Sequence, residues 1–155
     1  MFDDLHFERR PYERWSVYGQ LKTANSLFAV ELDKRGASSG IRAFAVHPGR
    51  IPGTDLNRHM SLLEQLVASA GRFLPTRGGI RLKSVEEGAS TSLWTAVSPQ
   101  LDGKGGVYCA DCDVSPLVHE ASPLGNSVRD YAVDSELARR LWTVSEELTG
   151  LRYPF

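Results

Sequence analysis

The six residues Ile41-Arg42-Ala43-Phe44-Ala45-Val46 are mostly apolar and stop at His47-Pro48-Gly49. A run this short, without polar alternation, suits a strand covered on both faces, since a strand with one wet face would alternate. Such a strand needs helices to cover it, and the sequence places one just before. From Arg14 onward Leu21, Asn25, Phe28 and Leu32, with Ala24 and Ala29 beside them, recur at helical spacing, and Gly36 offers a left-handed stop. A helix of about 20 residues leading into a buried strand points to α/β architecture.

The remaining segments continue the alternation. Phe2 to Pro11 has no period and reads as a loop. Arg50 to His59 is loop-like, and Met60, Leu63, Leu66, Val67, Ala70 and Phe73 form an amphipathic helix closed by Pro75 and Gly78-Gly79. Ser84 with Glu87 three residues on has the form of a capping box, predicting a helix from Val85 to about Val97, ahead of Pro99. Gly105-Gly106-Val107-Tyr108-Cys109 reads as a second buried strand. After a loop containing Pro and Ser, Asp134 or Ser135 can cap a last helix with Leu137, Leu141, Val144 and Leu148 on one face and Gly150 beyond it.

At 155 residues, 41% hydrophobic and 24% charged, the chain has the size and make-up of one soluble domain. A formal net charge of -1, without long blocks of like charge, offers no field for nucleic acid. The acidic start Met1-Phe2-Asp3-Asp4 does not suit a secretory signal, and no apolar stretch approaches a membrane span of about 18 residues. Two cysteines do not make a disulfide framework, so the expected location is cytoplasmic.

Chemistry is concentrated in Tyr18-Gly19-Gln20-Leu21-Lys22, which sets a phenol and an ammonium four residues apart, on one helix face about one turn apart. A nearby cation favours the phenolate and makes a tyrosine a usable general acid or base for a carbonyl or alcohol. Alone, the pattern also describes a half-buried aromatic beside a solvated lysine.

In context the helix resembles the catalytic helix of the short-chain dehydrogenase/reductase family. The stretches YGQLKTANSLFAVEL from Tyr18, IRAFAVHPG from Ile41, EGASTSLWTAVSP from Glu87 and GGVYCADCD from Gly105 fall in that family's order. The likeness is greatest to its retinol-dehydrogenase-like and WW-domain-oxidoreductase-like members, and it covers essentially all of the chain. It implies one partial domain over residues 1–155: the C-terminal part of a Rossmann-like doubly wound parallel sheet, with its last two strands and flanking helices. It also implies NAD(P)-dependent alcohol or carbonyl redox chemistry by hydride transfer. Tyr18 would be the proton carrier, and Lys22 would lower its pKa and hydrogen-bond the nicotinamide ribose. Pro48, Gly49 and the backbone near Ile51 would hold the carboxamide, and Thr54 would support the cofactor.

Some positions depart from the family pattern. Leu21 stands where the family usually has Ser, and Thr54 lies one residue further past Gly49 than is usual, with Pro52-Gly53 as a local insertion. The family's glycine-rich turn, its Asn-Asn-Ala-Gly segment and its catalytic Ser would lie upstream of Phe2. Gly78-Gly79 and Gly103 to Gly106 do not follow a strand and open a helix, so they are no substitute. The expectation is that the dinucleotide-binding half is absent, that NAD or NADP serves the complete enzyme, and that this chain alone binds neither.

Other readings stay open. A non-catalytic remnant or interaction module would associate through the sheet edge or the catalytic helix. Cys109 and Cys112 form a C-x-x-C pair, but a redox pair should open a helix, and a zinc site would have to draw on the scattered His6, His47, His59 and His119. Packed thiols and no metal site are therefore expected. The helix from Met60 to Leu74 reads equally as an apolar lid, favouring small lipophilic alcohols or carbonyls as substrates, or as a plain core helix. Trp15, Trp94 and Trp142 read as core or interface anchors.

Overall fold

Glu13 starts the first helix. Its extended backbone leaves the carboxylate free to accept hydrogen bonds from the N–H groups of Trp15 and Ser16, which satisfies two of the donors a helix start leaves open. The computed structural model of the chain, which describes residues 2–51, 82–119 and 126–154, shows helix α1 over Arg14–Gly36. Its end differs from expectation. Gly36 keeps right-handed helical geometry, a 3-10 turn over Ala37–Ser39 follows, and Gly40 takes the left-handed position at φ 75°. Gly36 is needed for a different reason, because a Cβ there would stand 2.8 Å from Cβ of Ile41.

The buried side of α1 is also not the expected stripe. Leu27 and Ala29 are buried, but so are Ser26, Glu31 and Asp33, whereas Leu21 is 58% and Phe28 46% exposed. The two buried carboxylates each have a cationic partner: Arg35 pairs with one oxygen of Glu31 at 2.7 Å, and Arg42 pairs with Asp33.

Strand β1 (Phe44–His47) begins three residues later than the apolar run suggests. Its residues Phe44, Ala45 and Val46 are half-buried. Helix α2 (Val85–Val97) carries the full capping box, Glu87 N–H donating to the Ser84 hydroxyl at 3.2 Å and Ser84 N–H to the Glu87 carboxylate at 2.9 Å. It leads to β2 (Val107–Ala110), which pairs parallel to β1 in the register Phe44–Val107, Ala45–Tyr108, Val46–Cys109 and His47–Ala110. A parallel pair needs such a crossover, and α2 packs against both strands.

Two features were not foreseen. Asp111 and Cys112 both take left-handed backbone, at φ 53° and 57°. They reverse the chain into β3 (Asp113–Val114), antiparallel to β2. A two-residue turn with both central residues at positive φ matches the twist of a hairpin, but it is usually marked by Asn-Gly or Asp-Gly. Beyond it, β4 (Leu117–Val118) pairs parallel with β5 (Val128–Arg129) where a plain loop was expected.

The last helix, α3 (Ser135–Thr149), is capped by Asp134, which accepts from Leu137 N–H at 2.8 Å, and it ends at left-handed Gly150. It packs on α1. Phe28 stacks on Trp142 with ring centroids 5.4 Å apart, and the Arg35 guanidinium lies 4.8 Å from the Trp142 ring centre. Such aromatic pairs contribute about 1 kcal/mol beyond the area they bury. Of the expected anchors, Trp142 is buried and Trp15 is half exposed.

The chain is thus an α/β unit with parallel strands flanked by helices. No helix among the described residues is long and apolar enough to cross a membrane.

Candidate active site

The carboxyl end of β1 runs straight into Pro48-Gly49-Arg50-Ile51, so this turn lies where open α/β sheets place ligands, beyond the ends of parallel strands. Gly49 has φ 86°, a conformation an L side chain avoids. Its N–H donates to Nδ1 of His47 at 3.0 Å. The Ile51 side chain reaches α2 at Gly88, where a Cβ would overlap it, so the turn is braced by direct contact with the crossover helix.

Tyr18 and Lys22 lie on the N-terminal half of α1, both exposed, with the Lys22 Nζ 5.5 Å from the Tyr18 ring centre. Their influence reaches the strand ends. Tyr108 on β2 has its phenol pushed above the ordinary value, first by burial and then by the neighbouring Tyr18. His47 at the end of β1 is pushed below its ordinary value by burial and by Lys83, against the opposing pull of Asp111, with Lys22 adding to the lowering. The His47 and Tyr108 rings are 6.4 Å apart. Tyr18, Lys22, His47 and Tyr108 therefore belong to one neighbourhood beside β1 and β2.

Of the sequence-predicted site residues, Tyr18, Lys22, Pro48, Gly49 and Ile51 are described, and Thr54 lies outside the described residues. So does the Met60–Leu74 helix read as a lid or core helix. The sequence reading missed four residues of this neighbourhood: His47, Tyr108, Lys83 and Asp111. His47 could have been suspected from its place next to Pro48-Gly49. The Lys83–Asp111 ion pair leaves no local signal, because its members are far apart in sequence.

The two cysteines sit in different surroundings, Cys109 on β2 and Cys112 in the turn that follows it. Cys109 is fully buried, and burial, with Thr95 opposing and Asp113 adding to it, pushes its thiol up. The thiolate that redox exchange requires is therefore disfavoured. Cys112 sits in the hairpin turn, its N–H donating to Thr91 Oγ1 at 3.3 Å. Both cysteines are free, and the described residues contain no group of His, Cys, Asp and Glu able to hold a metal.

No family model matches the chain. It is 38% identical over 145 residues to a Streptomyces lividans protein named as an oxidoreductase, the match covering 91% of this chain and 47% of that protein. It is 37% identical to Retinol dehydrogenase 12 of Homo sapiens, over 98% of this chain and 42% of that one. It is 31% identical to a short-chain dehydrogenase/reductase of Penicillium roqueforti, over 97% and 43%. A crystal structure of an uncharacterised protein from Mycobacterium paratuberculosis superposes with a TM-score of 0.58 at 26% identity, over 99% of this chain and 46% of that one. The chain spans a little under half the length of these relatives. With its parallel βαβ unit, its Tyr18-x-x-x-Lys22 helix and its Pro48-Gly49 turn, the chain belongs to the short-chain dehydrogenase/reductase family.

Proposed function

We propose that this chain is the proton-transfer half of an NAD(P)-dependent oxidoreductase acting on small lipophilic alcohols or carbonyls. The observation that carries the reading is the pairing of Tyr18 with Lys22 on one exposed face of α1, in electrostatic reach of the strand ends where the Pro48-Gly49 turn begins. The names of the relatives support oxidoreduction, and the retinol dehydrogenase among them supports a lipophilic substrate.

The residues suit the nicotinamide end of a dinucleotide. Gly49 gives the turn its left-handed backbone, and the turn from Pro48 to Ile51 supplies peptide groups that can hold a carboxamide. When bound, the nicotinamide would accept or supply the hydride. Tyr18 Oη takes the proton from an alcohol, or gives it to a carbonyl oxygen, as the hydride moves at the adjacent carbon. The Lys22 ammonium stabilises the charge that develops on the phenolate and donates to the ribose hydroxyls. For the pyrophosphate, no glycine-rich turn that follows a strand and opens a helix is found among the described residues.

The test is to assay the purified chain alone, and then mixed with a separately expressed N-terminal half of a relative, for nicotinamide reduction across retinoid, steroid and short aliphatic alcohols. Turnover only in the mixture is expected. The two or three hydrogen bonds the chain can make are worth about 0.5–1.5 kcal/mol each, or up to about 3 kcal/mol where charge assists. Association costs at least about 4 kcal/mol, so the chain alone should bind neither NAD nor NADP appreciably. A mixture that associates yet stays inactive with every substrate would overturn the catalytic reading in favour of a non-catalytic module.

A further inference from the structure

The ion pair between Lys83 and Asp111 joins three parts of the chain that sequence separates widely. Lys83 follows Leu82, which forms a parallel bridge with Arg50, and Lys83 N–H donates to the Arg50 carbonyl at 2.9 Å. The stem of Lys83 lies on the bare Cα of Gly49, where a Cβ would stand 2.6 Å from Cδ and 2.8 Å from Cε of the lysine. Its ammonium ends on Asp111, the first residue of the β2–β3 turn, which is held at φ 53° and receives a second hydrogen bond from the Asn126 amide. The Lys83 side chain is only 13% exposed.

We propose that Lys83 and Asp111 are positioning residues that clamp the Pro48-Gly49-Arg50-Ile51 turn onto the β2–β3 hairpin and so fix the backbone shape presented beyond β1. That this shape serves a nicotinamide rests on the function proposed above; the clamp itself does not. Besides the backbone bond from Lys83 to Arg50, three side-chain contacts meet on the turn: the His47 imidazole accepting from Gly49 N–H, the lysine stem covering Gly49, and Ile51 seated at Gly88. The first and third can form from residues close to the turn or from α2. The lysine stem can stay over Gly49 only while its ammonium is held at the far end, and Asp111 is the group that holds it. The direction of the Asp111 ionisation agrees, since the hydrogen bond from Lys83 is the largest influence keeping that carboxyl below its ordinary value.

Hydrogen exchange read by mass spectrometry on this chain tests the clamp without any cofactor. Lys83→Met keeps an apolar stem and removes the charge, Asp111→Asn keeps the shape and removes the charge, and Lys83→Arg keeps the pair. Each of the first two should speed exchange of the 47–51 amides by about tenfold. The double variant should be no faster than either single one, because both remove the same interaction. Lys83→Arg should stay near wild type, and the Leu27–Glu31 amides of α1 should be unchanged in all four. Unchanged exchange at 47–51 in both single variants would overturn the clamp, as would an increase matched in α1, which would mean only general destabilisation. A clamp that behaves as expected in a chain that never supports turnover would sink the catalytic reading and leave the clamp standing.

Discussion

Asp33 and Arg42 hold the end of α1 to the start of β1. The Arg42 guanidinium donates to the two carboxylate oxygens at 2.8 and 3.0 Å, and the Ala43 N–H donates to the same carboxylate at 3.0 Å. Asp33 is buried, and its partner emerges from the residues leading into the strand. One aspartate thus sets where the strand begins relative to the helix that precedes it.

Asp33→Ala should therefore destabilise the chain by about 2–3 kcal/mol, the worth of a charge-assisted pair plus the Ala43 N–H left without its acceptor. Because Arg42 is partly exposed and can turn to water, the loss should fall short of that for a fully buried pair. Urea unfolding followed by circular dichroism would measure it; a loss under about 0.5 kcal/mol would mean that other contacts set the junction.

The same residue fixes a pH dependence. Burial pushes the Asp33 carboxyl up, but the Arg42 and Ala43 hydrogen bonds outweigh it and hold it below its ordinary value of 3.8. A carboxyl whose folded pKa is depressed contributes stability above its unfolded pKa and loses it as pH falls through the folded one. Wild-type stability should fall on acidification below about pH 4, and Asp33→Asn should flatten that fall. Parallel profiles for the two proteins would rule Asp33 out as the source.

Gly105 faces this pair, and a Cβ there would overlap the Asp33 carboxylate and the Arg42 guanidinium. Gly105→Ala should cost about 1–3 kcal/mol in the wild-type background, as overpacking does. In an Asp33→Ala background most of that cost should vanish, since the carboxylate is gone and the Arg42 guanidinium, no longer held by it, can turn to water. A double-mutant cycle in urea reads the coupling directly, and additive costs would show that Gly105 is needed for some other reason.

In a reconstituted two-half enzyme, Tyr18→Phe should lower kcat by at least about 100-fold, the usual contribution of a positioned acid or base, with cofactor affinity nearly unchanged. Lys22→Ala should weaken both. Steady-state kinetics beside a cofactor titration separates the two effects, and a Phe variant with near wild-type kcat would remove Tyr18 from the mechanism.

Among the described residues no strand pairs with the outer edge of β1, whose only neighbour is β2. An open edge of half-apolar strand invites pairing with another chain, so the chain by itself should associate or unfold without a sharp transition. Light scattering and a thermal scan would check this. A monodisperse monomer with a cooperative transition would show that the edge is covered.

Local chemistry was legible in the sequence. The Ser84–Glu87 capping box, the Asp134 cap, Gly150 at the end of α3 and the one-turn spacing of Tyr18 and Lys22 each depend on residues within four positions of one another, a distance over which backbone geometry alone decides who meets whom. The parallel βαβ order was legible too, because it follows from alternating helix and strand patterns. Tertiary structure decided what depends on distant partners. Gly36 reads as a left-handed stop by its type, but the chain turns at Gly40, and Gly36 is kept for the approach of Ile41. The stripe of Leu21 and Phe28 reads as a buried face, but Glu31 and Asp33 are buried instead, because Arg35 and Arg42 arrive to pair with them. The Asp111-Cys112 hairpin and the Lys83 clamp left no pattern at all, since the stability of a left-handed aspartate or a buried ammonium is set by a group that only folding brings within reach.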